Sequence, residues 1–317
     1  MQVFSKLTDL THMYPGAVVA LGMFDGVHIG HQSIIHRAVQ LAEQIHGYAL
    51  VFTFSNHPLS VIAPNALPQQ IGNPVLRQHR LQEEGVDALI SIPFTQEFAA
   101  IRPERFLQML QQYLAPRYVV TGPNYTFGAG GKGTQRQLLR EGGQYGFQAE
   151  ICPAVLRAGR PVSSTRIRRL LSAGKLSEAN DFLGYPFTVM DRVIHGDRRG
   201  RTLGFPTANL AIPDDRVMLP NGVYAAEAVF EGMCYGALAN IGSNPTFPGC
   251  SRRLEVNIQG FSKDIYDRML EVRFLGKLRD EKRFAGAEQL IRQMRRDRKA
   301  AELWWDKSGS SYYVGLQ

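Results

Sequence analysis

The apolar positions of the chain fall into two regimes. Up to residue 182, short apolar runs alternate with segments whose apolar residues recur every three or four positions. Residues 17–21, 48–54, 88–92 and 118–120 are largely continuous apolar runs, as in parallel strands covered on both faces. Residues 32–42 and 75–84 read as helices, and Pro103 opens another with Phe106, Leu107, Leu110 and Tyr113 along one stripe. This alternation predicts a doubly wound α/β fold on a parallel sheet. Residues 172–183 read as a short helix, ended by Gly184 and Pro186. The pattern then changes. Strand-like segments at 187–193, 223–230, 235–241, 254–258 and 269–274 are separated by turn residues such as Asn221-Gly222, Glu231-Gly232 and Gly242-Ser243-Asn244-Pro245. That predicts an antiparallel β-barrel, followed by a C-terminal helix over 287–305 with Leu290, Ile291, Met294 and Leu303 on its apolar face. The expected domains are 1–183 and 184–317.

Composition narrows the classes. A chain of 317 residues most simply makes two domains, and 44% hydrophobic with 20% charged residues suffices for ordinary cores. The net charge of +8 suits anionic partners, either nucleic acid or phosphorylated small molecules. The basic residues are scattered apart from Arg295-Arg296-Asp297-Arg298-Lys299, which reads as a solvated helix face, so nucleic acid is the weaker explanation. Three widely spaced cysteines, Cys152, Cys234 and Cys250, argue against a disulfide framework and for a reducing cytoplasm. The N-terminus lacks the pattern of a secretory signal, and no apolar run approaches membrane-spanning length. A soluble cytoplasmic protein is expected, with oligomeric state left open.

The first candidate site follows residues 17–21. Leu21-Gly22-Met23-Phe24-Asp25-Gly26-Val27-His28-Ile29-Gly30-His31 joins a buried strand to a helix through a glycine turn. The carboxyl end of such a strand, beside a helix N-terminus, is where phosphates bind in open α/β sheets. His28 and His31 would share a face of the first helical turn. Taken alone, two histidines flanking a glycine fit an ordinary turn equally well. The whole stretch is more specific: it resembles the HxGH nucleotidyltransferases, and Phe24 to His31 resembles their bacterial FAD synthetase branch. Three later segments lie at strand or helix ends. Phe54-Ser55-Asn56-His57-Pro58 resembles that family's F-x-x-H-P segment near the nucleotide and flavin phosphate. Gly122-Pro123-Asn124-Tyr125-Thr126-Phe127-Gly128 resembles its glycine-bounded aromatic motif, with Tyr125 in place of the usual Phe. The resemblance puts Asn124 at the phosphates or metal. Ser163-Ser164-Thr165-Arg166-Ile167-Arg168 supplies hydroxyls and arginines at a helix start, suited to a triphosphate, and resembles the adenylyltransferase S-S-T-x-I-R motif. The resemblance thus implies catalytic roles for His28, His31 and Arg168. It implies phosphate or nucleotide contacts for Gly22, Phe24, Asp25, Gly30, His57, Asn124, Ser163, Ser164 and Thr165.

In the second half, His195-Gly196-Asp197-Arg198-Arg199-Gly200-Arg201-Thr202-Leu203-Gly204 is a plausible phosphate cradle or a mobile loop. Its continuation, Phe205-Pro206-Thr207-Ala208-Asn209, resembles the riboflavin kinase motif. By that resemblance Gly196, Gly200 and Gly204 lie at the phosphates, and Thr207 and Asn209 hold Mg²⁺, whose preference is for oxygen ligands. Glu255 aligns with the family's catalytic base; from pattern alone it would be an exposed strand residue. Asn257 stands where many members have His, and Gly260 where many have an acid, changes that bear on flavin affinity. Arg279, Glu281 and Phe284 match a further family stretch, read as mainly architectural with Arg279 near phosphate. No P-loop pattern occurs. The resemblance implies a bifunctional enzyme whose second half makes FMN from riboflavin and ATP, and whose first half makes FAD from FMN and ATP. The expected ligands are riboflavin, FMN, FAD and ATP with Mg²⁺.

Overall fold

The computed structural model describes residues 1–11, 13–195, 206–247, 250–282 and 284–308. The chain divides into two compact units. One comprises Met1–Pro68 and Pro74–Ser164, the other Gln69–Asn73 and Thr165–Gln317.

The first unit carries a six-stranded sheet of β1 (Gln2–Phe4), β2 (Ala17–Leu21), β3 (Tyr48–Phe54), β4 (Ala88–Ile92), β5 (Tyr118–Thr121) and β8 (Gln148–Ile151). The order is β1-β4-β3-β2-β5-β8, and every neighbouring pair is parallel. The short antiparallel ribbons β6 (Thr126–Phe127)/β7 (Gly133–Thr134) and β9 (Leu156–Arg157)/β10 (Arg160–Pro161) lie outside it. Alternation along β2 distributes its side chains to two cores. Ala17, Val19 and Leu21 pack in one cluster with Phe106, Leu107 and Leu110 of α5 (Pro103–Leu114). Val18 and Ala20 pack in the other with Ile34, Ile35 and Ala38 of α1 (Ile29–Gln44). The doubly wound expectation therefore holds. Strand order reverses between β2 and β5, whose register pairs Leu21 with Thr121. In such sheets the crevice beyond that reversal binds ligand, and it is here that Gly22 and Gly122 begin their loops.

The remaining helices of this unit are α2 (Leu59–Ile62), α3 (Pro74–Glu83), α4 (Gln96–Ala99) and α6 (Gln135–Glu141). Two strands of the six-stranded sheet were not anticipated from sequence. β1 spans three residues, and β8 is an edge strand of partly exposed residues without a continuous apolar run.

The second unit begins with α7 (Ser164–Ser172), all but its first residue, and α8 (Leu176–Leu183). Asn180 of α8 donates to Phe274 O at 3.2 Å and accepts from Phe187 N at 2.8 Å, tying α8 to the barrel. The barrel strands are β11 (Thr188–Arg192), β12 (Ala208–Ile212), β13 (Gly222–Phe230), β14 (Met233–Phe247), β15 (Cys250–Ile258) and β16 (Met269–Arg279). Their order is β11-β16-β13-β14-β15-β12, antiparallel throughout. The two end strands approach through an isolated bridge, Ile194 with Asn209, so the expected barrel is nearly closed. Gln69–Asn73 joins this unit by hydrogen bonds: Gln70 N donates to Asp215 O at 2.7 Å, and Val217 N donates to Gln70 O at 2.9 Å. The C-terminal helix α9 (Ala287–Ser308) lies on β13, β14 and β16. Gly236 and Gly276 make room for it: a Cβ would meet Trp305 at 2.9 Å and Trp304 at 2.3 Å respectively. Trp305 Nε1 donates to Ala226 O at 2.9 Å inside this contact.

Leu107 is fully buried under the first sheet. Leu107→Ala should therefore cost about 2–5 kcal/mol, read as a lower urea midpoint for the first unit's unfolding.

Candidate functional sites

The turn after β2 is held in costly backbone geometry. Phe24 (φ 51°), Gly26 (φ 77°) and Val27 (φ 34°) all have left-handed φ. For β-branched Val27 that costs roughly 1–3 kcal/mol and persists only when its surroundings fix it. They do: Val27 N donates to Phe24 O at 3.2 Å, Gln32 Nε2 donates to Val27 O at 2.9 Å, and both side chains are buried. His28 then caps α1, its Nδ1 accepting the His31 N–H at 3.2 Å. With Nδ1 committed as an acceptor, the neutral ring is assigned its proton at Nε2. The His28 and His31 rings stack at a centroid distance of 3.6 Å and 14° between planes, and the Phe24 ring packs edge-on to His31 at 5.3 Å. The glycines follow from this packing. A Cβ on Gly22 would lie 3.0–3.3 Å from the Phe24 ring, and one on Gly30 would lie 3.2 Å from the His28 ring. Ser164 Oγ donates to Asp25 O at 3.0 Å, which brings the start of α7 to the turn. Ser163 precedes it.

Thr165 and Arg168 follow on α7 within the second unit, with Arg168 Nε shut off from solvent. Arg166, the other arginine of that motif, lies over the Phe182 ring at 5.8 Å. At the end of β3, His57 Nδ1 accepts from Leu59 N at 3.1 Å. The neighbouring Asn56 exchanges hydrogen bonds with Phe94, donating to its O at 3.0 Å and accepting from its N at 2.8 Å. After β5, Asn124 is exposed, and burial raises the Tyr125 phenol far above its ordinary range. Gly128 abuts Pro103, where a Cβ would sit 2.7 Å from Pro103 N, whereas nothing lies within 4 Å of one on Gly130. Two residues that the sequence did not single out also belong to this region. Thr53 Oγ1 donates to Met23 O at 3.1 Å, and Arg77 of α3 donates to Met23 O at 3.3 Å and Phe54 O at 3.0 Å. A lone arginine on an amphipathic helix carries no local signal of such a role.

In the second unit, Gly196, Gly200 and Gly204 lie outside the described residues. Thr207 leads into β12, where Asn209 is only 5% exposed. Its Nδ2 donates to Thr207 O at 3.4 Å, while its Oδ1 is buried and accepts no hydrogen bond among the described residues. The register sets Asn209 directly opposite Glu255 on β15, and Glu255 opposite Asn240 on β14. Directly opposed residues put their side chains on one face with Cβ atoms about 4.5–5.5 Å apart. Glu255 is partly exposed, with Arg253 Nη1 at 3.6 Å from its Oε1. Asn257 is buried and donates to Pro206 O at 2.9 Å, fixing the backbone just before Thr207; Gln259 Nε2 donates to Asn257 Oδ1 at 2.7 Å. Gly260 has φ 66°, so the residue there serves a left-handed turn. Thr207 and Asn209 line a cavity of 340 Å³ together with Val256, Phe261, Lys263 and Tyr266. The His195 and Tyr266 rings stack at 3.9 Å beside it. Arg279 is occupied: it grips Asp297 of α9 from Nε and Nη2 at 2.8–3.0 Å, donates from Nη1 to Asp280 O at 3.0 Å, and lies over Phe284 at 5.7 Å. These contacts describe a brace between β16 and α9.

A family model described as FAD synthetase matches residues 11–166, and one described as riboflavin kinase matches residues 183–305. A Listeria monocytogenes protein named bifunctional riboflavin kinase/FMN adenylyltransferase is 36% identical over 92% of this chain and 93% of its own. The Escherichia coli K12 protein of the same name is 34% identical over 89% of this chain and 90% of its own. This chain belongs to the bifunctional riboflavin kinase/FMN adenylyltransferase family. A crystal structure from Streptococcus pneumoniae, described as a macrolide-efflux protein, superposes on this chain with a TM-score of 0.82. It is 33% identical and covers 95% of this chain and 98% of its own. Among the described residues no helix is long and apolar enough to cross a membrane.

Within this family member, the ring packing around Gly22 makes a direct prediction. Gly22→Ala pushes the Phe24 ring away and disturbs the stacked histidines. The Cε1–H resonances of His28 and His31 should shift while those of the other histidines stay; unshifted resonances would contradict the packing account.

Proposed function

We propose that the two units catalyse consecutive steps of flavin cofactor synthesis, the second unit phosphorylating riboflavin and the first adenylylating its product. The observation that carries this reading is that each family segment contains its own polar site at the end or on the face of its own sheet. The functional division is placed at 183/184, with α8 tied to the barrel through Asn180.

In the first reaction, the 5′-hydroxyl oxygen of riboflavin attacks the γ-phosphorus of ATP, and ADP leaves with FMN formed. Glu255 accepts the hydroxyl proton as general base. Thr207 and Asn209 position the nucleotide phosphates, with Asn257 holding the Pro206 carbonyl behind them. Mg²⁺ fits here, because the buried Asn209 Oδ1 is an oxygen ligand atom beside Thr207 that accepts no hydrogen bond among the described residues. When bound, the metal supplies charge neutralisation for the phosphates. Arg279 acts in this reading through the β16–α9 brace.

In the second reaction, a phosphate oxygen of FMN attacks the α-phosphorus of a second ATP, the bond to the β-phosphate breaks, and pyrophosphate leaves with FAD formed. No covalent intermediate on the protein is needed. His28, His31 and the amide groups at the start of α1 stabilise the charge that builds at phosphorus. Gly22, Phe24, Asp25 and Gly30 shape the turn that presents them. Asn124, His57, Ser163 and Ser164 hold phosphates and orient the two substrates. The three widely spaced cysteines support a reducing, cytoplasmic setting.

Paired variants test this. His28→Ala with His31→Ala should stop FAD formation and spare FMN formation; loss of both products in a folded chain would refute separate sites. Glu255→Gln should lower FMN formation by roughly 10²–10⁴-fold and leave conversion of supplied FMN to FAD unchanged. Normal kinase turnover in that variant would remove Glu255 as the base.

A further inference from the structure

Three loops meet beyond the carboxyl ends of β2, β3 and β5, and two of them share one unassigned side chain. Arg77 projects from α3 and donates to Met23 O from Nη1 at 3.3 Å and to Phe54 O from Nη2 at 3.0 Å. Met23 lies in the turn that contains left-handed Phe24 and Val27. Phe54 is the last residue of β3, immediately before the segment bearing His57. Met23 O also accepts from the fully buried Thr53 at 3.1 Å. Arg77 forms no ion pair within 4 Å among the described residues, and its Nε is buried without a hydrogen-bond partner. Burial lowers the guanidinium's affinity for its proton, and the field of Asp25 opposes that shift. A desolvated cation whose hydrogen bonds go to two backbone carbonyls has a geometric task that a solvated surface arginine lacks.

We propose that Arg77 is a positioning residue for FMN adenylylation, its planar guanidinium holding the His28–His31 turn and the His57 segment at one fixed separation. The strained turn needs such an external hold. A fork with two separated donor groups spans two carbonyls, which a single ammonium does not reproduce. Small displacements of groups that orient substrates are costly for rate. The inference rests on the adenylyltransferase reading of the first unit. If that reading fails, the unaltered chain makes no FAD; if only this inference fails, the unaltered chain makes FAD and Arg77 variants do so equally well.

The experiment is steady-state kinetics of FMN adenylylation and of riboflavin phosphorylation on the same full-length samples. Arg77→Met should lower kcat for FAD formation by about tenfold to a hundredfold, with riboflavin phosphorylation at the unaltered rate. Arg77→Lys retains the charge and should keep the KM for ATP near its original value without restoring kcat. Thr53→Val removes the other donor to Met23 O and should lower kcat in the same direction by less. Combined with Arg77→Lys, its effect should be non-multiplicative, because both act on one carbonyl. If Arg77→Met unfolds the first unit, judged by loss of its urea transition, the Lys and Val variants decide. Unchanged kcat in Arg77→Met, full recovery of kcat in Arg77→Lys, or strictly multiplicative effects of Thr53→Val and Arg77→Lys would each overturn the proposal.

Discussion

At the start of α1 the amide of His31 donates to two acceptors of His28, the backbone carbonyl at 2.6 Å and the imidazole Nδ1 at 3.2 Å. His28 is the N-cap, its Nδ1 accepts that N–H, and its ring is thereby fixed face to face with His31. Capping usually falls to small hydroxyl, carboxylate or carboxamide side chains. Using imidazole makes one hydrogen bond serve both helix initiation and the orientation of a candidate catalytic ring. Other features of the turn follow. Gly22 and Gly30 leave room for the rings, Phe24 backs His31, and the left-handed backbone through Val27 delivers the chain to the cap. The parallel sheet supplies the setting, since its strand order reverses between β2 and β5, beside this helix start.

The second unit builds its candidate site by different means. Strand register, rather than a helix terminus, sets Asn209, Glu255 and Asn240 in a row across three antiparallel strands. A one-residue slip of β12 would send Asn209 to the opposite face. The Asn257 bond to Pro206 O and the Ile194–Asn209 bridge both act against such a slip. The carboxamide at position 257, viewed from sequence as a change bearing on the flavin, also supports the entry to the strand that carries Asn209.

Much of this was legible in the sequence because it depends on short-range pattern. Continuous apolar runs marked β2 to β5, the Pro103 stripe marked α5, and turn residues every few positions marked the barrel. The glycine and histidine spacing located the first turn. What escaped depends on long-range contact. β1 and β8 are edge strands too short or too polar to show a period, and β12 was hidden because residues 206–209 read as a ligand motif rather than the entry to a strand. The crossing of Gln69–Asn73 into the second unit has no local cue. Arg77 and Thr53 gain meaning only when folding brings the carbonyls of Met23 and Phe54 to them. Arg279 shows the converse: its motif suggested phosphate, while folding engages its guanidinium with Asp297 and the Asp280 carbonyl.

One chain that carries two complete and separable reactions makes both products on its own. Chromatographic product analysis of the purified full-length chain tests it most directly. One tube holds riboflavin, ATP and Mg²⁺; a second holds FMN in place of riboflavin. The account requires FMN and FAD in the first tube and FAD in the second. FMN accumulating without FAD, FAD confined to the second tube, or bound flavin with no product in either would contradict it.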